Sequence, residues 1–296
     1  NRQSPSMASP SLTVLIPTHG RPRLLERTLE SVARCTLPDG YEELVVIENG
    51  SRAGTEKLVE DLPERLNARY MHRERANKSY ALNQALETIK DGLVVFFDDD
   101  VRVFPETIMH YARAAKKYGR GHFFGGSVKV DRQSNPPDWL NPSLPESVKG
   151  YTASNKRKWY LGFNWASYSK DLKKCGKFNP KFGPGSTTGA TGQEVDMQRR
   201  LRNSKIIPVG VENATVKHDI KSRNVNVRWM LKRKRKKGIF EYHQGSEKNY
   251  LIKTLARGIY CMVKGVYKCE INMWVKSISH LSILYGYIGE IIKHKK

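Results

Sequence analysis

The chain has 296 residues, 39% of them hydrophobic, and a formal net charge of +23. This is enough apolar material for one large α/β domain, or for a domain with an appendage. The cysteines Cys35, Cys175, Cys261 and Cys269 form no CxxC pair and no Cys/His metal spacing, which excludes a disulfide-built or zinc-built scaffold and reads as reduced thiols in a cytosolic protein.

The first six residues, Asn1 to Ser6 ahead of Met7, read as a cloning scar outside the fold, and no apolar stretch after Met7 predicts a secretory signal or membrane anchor. Leu12–Thr18 is a β-branched run closed around Pro17, which predicts a first strand. Arg21–Arg34 carries Leu24, Leu25, Leu29, Val32 and Ala33 at helical spacing. A second buried strand covers Glu43–Ser51, a helix roughly Gly54–Leu66, and a short third strand Arg69–His72. Ser79–Ile89 has Ala81, Leu82, Ala85, Leu86 and Ile89 on one stripe and predicts a helix.

That helix leads into Val94-Val95-Phe96-Phe97-Asp98-Asp99-Asp100, in which an apolar strand ends in adjacent like charges. The end of a central α/β strand accommodates them where it opens into a ligand crevice, and carboxylates there suit a hard divalent cation. Pro105–Tyr118 predicts a helix with Pro105 in its first turn, and Phe123–Val130 a further strand. The alternation of strands and helices implies a largely parallel sheet, whose strand ends bring Thr18, Glu48-Asn49 and Asp98–Asp100 to one crevice.

Asn135–Gly150 then reads as an excursion, Tyr160–Tyr168 as a strand, and Gly183–Gly192 as a mobile loop. A helix starts at Gln193 with acids in its first turn, and Ile206–Val209 and Thr215–His218 are strand-like. Trp139, Trp159 and Trp165 are candidates either for stacking on a ligand or for buried packing. From Lys221 to Lys296 there are 18 Lys/Arg against four acids, so +14 lies in the last quarter. Arg228–Gly238 is a basic helical stretch, and from Asn249 onward apolar residues recur at helical spacing with lysines and Arg257 between them. Leu281–Ile292, the best apolar run, is too short and too interrupted to span a bilayer. A basic amphipathic region lying on an anionic membrane surface fits it better; the other reading is a set of helices packed on the main domain.

Residues 12–218 resemble a family 2 glycosyltransferase. The resemblance rests on Val14-Leu15-Ile16-Pro17-Thr18 with Arg21, on Val45–Ser51, on Asn77–Ala85, on Val95–Asp100, on Gly176–Pro180, on Gly192–Leu201 and on His218, in the family's order. It implies the GT-A fold, a Rossmann-like α/β domain with a mostly parallel sheet, over residues 7–222, followed by a basic amphipathic helical region over 223–296. It also implies a nucleoside-diphosphate sugar donor, a UDP-sugar favoured, and inverting transfer to a glycan or polyprenyl-linked acceptor. By the resemblance Pro17, Thr18 and Arg21 meet nucleoside and phosphate, and Glu48, with Asn49 beside it, accepts from ribose or base, where the family more often has Asp. Arg75, Asn77 and Asn83 line the nucleotide side, Asn83 also shaping the acidic turn. Lys78 stands where the family often has Gly and is equally a solvated lysine.

The acids form a DXD-type motif. Asp98 and Asp99 resemble ribose and metal-shell contacts, and Asp100 the ligand of Mg²⁺ or Mn²⁺, with His218 closing the metal site and Asp98 a further candidate. The family's Glu-Asp pair stands here as Gln193-Glu194, which makes Glu194 the general base and Asp196 its nearest rival. The implied location is cytoplasmic, peripheral on the inner face of the cell membrane. Two other readings are a sugar-phosphate nucleotidyltransferase, poorly matched by Pro17–Pro22, and a basic nucleic-acid-binding protein. No nucleic-acid partner is expected, because no recognition motif accompanies the charge. The oligomeric state is left open.

Overall fold

The fold is described from a computed structural model, which covers residues 10–157, 159–246 and 248–295. The cloning-scar reading of residues 1–6 lies outside them. The chain forms two compact units. The first comprises residues up to Lys129, Tyr151–Pro180 and Gln193–His218; the second comprises Val130–Gly150, Lys181–Gly192 and Asp219–Lys296. The second unit therefore takes in the 135–150 excursion and the 183–192 loop as well as the basic C-terminal region.

The first half alternates as the periodicity predicts: β1 (Leu12–Thr18), α1 (Pro22–Ala33), β2 (Tyr41–Asn49), α2 (Thr55–Glu60), β3 (Ala68–Arg73), α3 (Lys78–Thr88) and β4 (Leu93–Phe97). Pro22 opens α1, where its missing N–H has no intrahelical acceptor to lose. The predicted 54–66 helix is shorter, because Pro63 divides α2 from a 3₁₀ turn at Glu64–Leu66. Asn77 caps α3 by accepting from the Tyr80 N–H at 3.0 Å. After the acidic turn come β5 (Val101–Val103), α4 (Thr107–Tyr118) and β6 (His122–Arg132). Pro105 precedes α4 instead of sitting in its first turn, and its carbonyl accepts from the Thr36 N–H. Then follow α5 (Glu146–Lys149), β7 (Asn164–Tyr168), α6 (Ser169–Lys174), α7 (Gln193–Asn203) and β8 (Ile207–Ile220). The two strand-like pieces expected at 206–218 are one continuous strand.

The sheet order is β3-β2-β1-β4-β7-β6-β8-β5. The pairs β3–β2, β2–β1 and β1–β4 are parallel, while β4–β7, β7–β6 and β5–β8 are antiparallel. The largely parallel expectation thus describes one half of a mixed sheet. β1 and β4 are buried at every position, as strands covered on both faces must be. Leu15, Val94, Phe96, Trp165, Phe178 and Met197 belong to one buried cluster under this sheet. Trp165 is 1% exposed and stacks on Phe96 at 4.8 Å, so it packs in the core and is not a sugar platform.

In the second unit the Gly183–Gly192 segment is pinned. The Gly183 N–H donates to the Ala190 carbonyl at 2.9 Å, Thr188 bonds the Lys181 carbonyl, and Phe182 packs edge-on against Phe240. This unit holds α8 (Val227–His243), α9 (Lys248–Lys268) and α10 (Ile271–His294). The glycines at the α8–α10 crossing bring the two backbones into contact: a Cβ on Gly238 would lie 1.9 Å from the Ile283 carbonyl oxygen. No helix among the described residues is long and apolar enough to cross a membrane.

Candidate active site

The site begins at the C-terminal ends of β1 and β4. Thr18 Oγ1 donates to Asp99 Oδ2 at 2.7 Å, and Arg21 spans the acidic turn, with Nη2 2.5 Å from Asp99 Oδ1 and Nη1 2.9 Å from Asp100 Oδ2. Asp99 is fully buried, and this burial pushes its carboxyl up to about 6 despite the guanidinium beside it. Asn49 Nδ2 donates to the Thr18 carbonyl at 2.7 Å, tying β2 to β1. Thr18, Asn49 and Asp99 thus meet as expected, but their polar atoms are spent on one another and hold the turn. Pro17 reaches the cleft that also holds Asp98 and Glu194.

His218 arrives through strand register. β5 pairs antiparallel with β8 so that Val101 faces His218, which puts the imidazole beside Asp100 with Nε2 3.8 Å from Oδ1. Its ring stacks on Phe163 at 4.6 Å. A carboxylate oxygen and an imidazole nitrogen at this spacing, with Asp100 24% exposed, fit a shared divalent cation. Asp98 does not join that pair: its Oδ1 is 2.5 Å from Lys78 Nζ.

Lys78 is the residue that sequence reasoning undervalued. It opens α3, its side chain is only 13% exposed, and it lines the cleft with Glu194. Burial works against its charge, yet Asp98 and, behind it, Glu194 raise its proton affinity above the usual lysine value. Its place one residue after an Asn N-cap and twenty before the acidic turn was the available signal. Glu194 lies in the first turn of α7, beside Gly162, where an added Cβ would come within 3.0 Å of its Cγ. A side chain at position 162 would push the carboxylate out of place.

Several expected ligand contacts are occupied internally. Glu48 is fully buried; its Oε1 accepts from the Ala53 N–H and from Thr55 Oγ1, and its Oε2 from the Tyr70 hydroxyl, so it holds the turn into α2 instead of meeting ribose or base. A buried carboxylate needs such donors, and three protein groups supply them. Asn77, besides capping α3, donates to the Pro180 carbonyl at 3.0 Å. Asn83 pairs with the backbone of Phe178 in both directions at 2.8 Å, fastening α3 to that segment and not shaping the acidic turn. Asp196 is buried and binds Arg200, which also reaches the carbonyls of Cys175 and Lys177. That commitment removes it as rival base. Arg75 is exposed and lies over the Tyr80 ring at 4.8 Å, with Arg73 at 4.9 Å from the same ring.

A parallel half ending in an acidic turn, joined to an antiparallel half that brings an imidazole and a helix-borne carboxylate to it, is the GT-A architecture of glycosyltransferases. The chain belongs to glycosyl transferase family 2, whose model matches residues 13–173. Curated relatives include validoxylamine A glucosyltransferase of Streptomyces hygroscopicus subsp. limoneus, 25% identical over 65% of this chain and 48% of its own length. Another is the GalNAc(5)-diNAcBac-PP-undecaprenol beta-1,3-glucosyltransferase of Campylobacter jejuni, 27% identical over 58% of this chain and 56% of its own. The chain spans about half the length of these relatives. Among solved structures, the mannosyltransferase PcManGT from Pyrobaculum calidifontis, in complex with GDP-Man and Mn²⁺, aligns with a TM-score of 0.63 at 18% identity, covering 96% of this chain and 89% of that one. S. aureus TarS 1–349, in complex with UDP-GlcNAc, aligns at 0.56 and 13% identity over 95% and 92%.

Proposed function

We propose that this chain is a metal-dependent inverting glycosyltransferase, which moves a sugar from a nucleoside-diphosphate sugar to a hydroxyl of a glycan or polyprenyl-linked acceptor at a membrane face. The observation that carries the reading is that Glu194 and Asp98, the first acid of the turn, line one small pocket together with Lys78, which is ion-paired to Asp98, in a family 2 chain. A nucleotide-sugar donor is supported by the GDP-Man and UDP-GlcNAc bound to the two structural neighbours, and a lipid-linked acceptor by the undecaprenol substrate in the Campylobacter relative's name. A UDP-sugar is the favoured donor.

Asp100 and His218 would hold the divalent cation, and the imidazole favours Mn²⁺ over Mg²⁺. When bound, that cation supplies Lewis-acid stabilisation of the leaving diphosphate. Arg21, bridging Asp99 and Asp100, holds the acidic turn together and brings a second positive charge to it. Glu194 takes the proton from the acceptor hydroxyl as that oxygen attacks the anomeric carbon opposite the phosphate. The bond from the anomeric carbon to the phosphate oxygen breaks, and the configuration inverts. Lys78, held on Asp98, keeps a positive charge near the base and so favours the carboxylate form that can accept a proton.

The second unit supports the membrane-face part of the reading. Ile271, Trp274, Ile278, Leu281, Tyr285, Ile288 and Ile292 recur every three or four residues on α10, each 40–64% exposed. On α9 the arrangement expected of a water-facing helix is reversed: Thr254, Gly258, Cys261 and Gly265 are buried, while Ile252, Leu255, Ile259, Val263 and Val266 face outward. Large apolar residues outward with lysines and arginines nearby suit an anionic lipid surface, consistent with a peripheral enzyme on the cytoplasmic face.

The deciding experiment is a screen of UDP- and GDP-sugars with polyprenyl-diphosphate glycans, with and without Mn²⁺. Release of free nucleoside diphosphate with a glycosylated product, only in the presence of the metal, is expected. Release of pyrophosphate in its place would establish a nucleotidyltransferase.

A further inference from the structure

We infer that the second unit carries a separate transition-metal site, built by His243, Glu290 and His294, which takes a zinc-class ion and staples α8 to α10. One ligand atom from each of these residues lies within 4.8 Å of the others. His243 Nε2 is 2.9 Å from Glu290 Oε2, and Glu290 is 5% exposed. The spacing of Glu290 and His294, four residues apart, puts both on one face of α10, and His243 is the last residue of α8.

The frame around the three donors is closely packed. Gly238 and Gly286 let the α8 and α10 backbones touch, with Ile283 and Arg235 carbonyl oxygens about where a Cβ would stand. This contact sets the axial position of His243 against Glu290 and His294, one to two turns further along each helix. Tyr242 stacks on the His294 ring at 5.5 Å and 19°, and meets Tyr287 edge-on at 5.4 Å; the Tyr287 hydroxyl is itself anchored on the Ser246 carbonyl.

Two imidazoles and one carboxylate form the donor set of a zinc site that keeps one position for water. Donors sharing one such ion sit roughly 3–4 Å apart, so a small rotation of the exposed His294 closes the set. Lys293 Nζ lies 2.7 Å from Glu290 Oε1, but its side chain is 65% exposed and can turn to water when a divalent ion neutralises the carboxylate. The nitrogen-rich donor set separates this site chemically from the acidic turn, whose carboxylates suit Mg²⁺ or Mn²⁺.

The test uses the tag-free full chain, without nucleotide, equilibrated with Zn²⁺ under a large excess of Mg²⁺ and then desalted. Retained zinc is counted by elemental mass spectrometry, and melting temperature is followed with and without the ion. About one zinc per chain should be retained and should raise the melting temperature. His294→Ala, at an exposed position, should keep the metal-free melting temperature and lose zinc affinity by about tenfold or more; His218→Ala should retain zinc like the native chain. His243→Gln, which preserves a hydrogen bond to Glu290, should also lose it. The inference is overturned if the native chain retains no zinc, if His294→Ala retains as much as the native chain, or if His218→Ala is the variant that loses it.

Discussion

Lys78, Asp98 and Glu194 share one cleft, and the contacts among them decide what each can do. Glu194→Gln removes the proton acceptor while keeping its shape, and transfer should fall by roughly 10²–10⁴-fold with metal-dependent nucleotide binding intact by calorimetry. Native turnover in that variant would refute the assignment of the base. Lys78→Met keeps the length of the side chain and removes its charge; kcat should fall by about tenfold or more while the donor KM changes less, because the lysine acts through Asp98 and Glu194. An unchanged kcat would reduce Lys78 to a structural salt bridge.

Asp99 gives a pH signature at the same scale. Its folded pKa, about 6, lies above the ordinary carboxylate value because of burial. Its contribution to stability is therefore fully present below about pH 4 and is lost as pH rises through about 6. At about 1.4 kcal/mol per unit the loss is roughly 3 kcal/mol at most. Subtracting the Asp99→Asn curve from the native one in urea unfolding should leave a fall of that sign between about pH 4 and 6; a flat difference would mean that Arg21 compensates the burial fully.

At the scale of elements, the α8–α10 crossing is the most constrained contact in the second unit. A methyl group at Gly238 would meet the Ile283 carbonyl at 1.9 Å. Backbone cannot yield as a side chain tip can, so Gly238→Ala should destabilise this unit by roughly 1–3 kcal/mol, read from its thermal transition. Gly245→Ala, with nothing within 4 Å but a φ of +69°, should cost only the roughly 1 kcal/mol of its backbone conformation.

The same scale shows why some elements were readable and others were not. Through α4 the chain largely obeys local periods, with buried strands and helical stripes, and these were legible from spacing, while the short β5 and the exact bounds of α2 and α4 were not. β7 was legible as a strand, but its insertion between β4 and β6 was not, because strand order follows from pairing across roughly seventy residues to β4 and roughly forty to β6. Glu48, Asn77, Asn83 and Asp196 are all polar residues near the site in sequence, yet each is consumed by a backbone or side-chain partner that spacing does not reveal.

At the scale of the whole molecule, charge and exposed apolar surface act together. The chain carries +23, most of it after Lys221, and the outward stripes of α9 and α10 add the apolar component. Binding to anionic vesicles should weaken as salt rises, and Trp274→Ser with Ile278→Glu should reduce it by about tenfold or more without lowering the melting temperature. Equal binding by the double variant would assign the attraction to charge alone.

The amino-acid sequence by itself determined the alternation of strands and helices up to β4, the placement of three aspartates at a strand end, the acid at the start of α7 and the basic amphipathic character of the C-terminal region. Each depends on local spacing and composition, which a linear reading sees directly. Only the tertiary structure decided that Lys78 faces Glu194, that Asp98 belongs to Lys78, that the β5–β8 register carries His218 to Asp100, and that His243 meets Glu290 and His294. These are pairings between residues up to about 120 positions apart. They are selected by the need of every buried polar group for a partner, a condition that the folded chain must satisfy all at once.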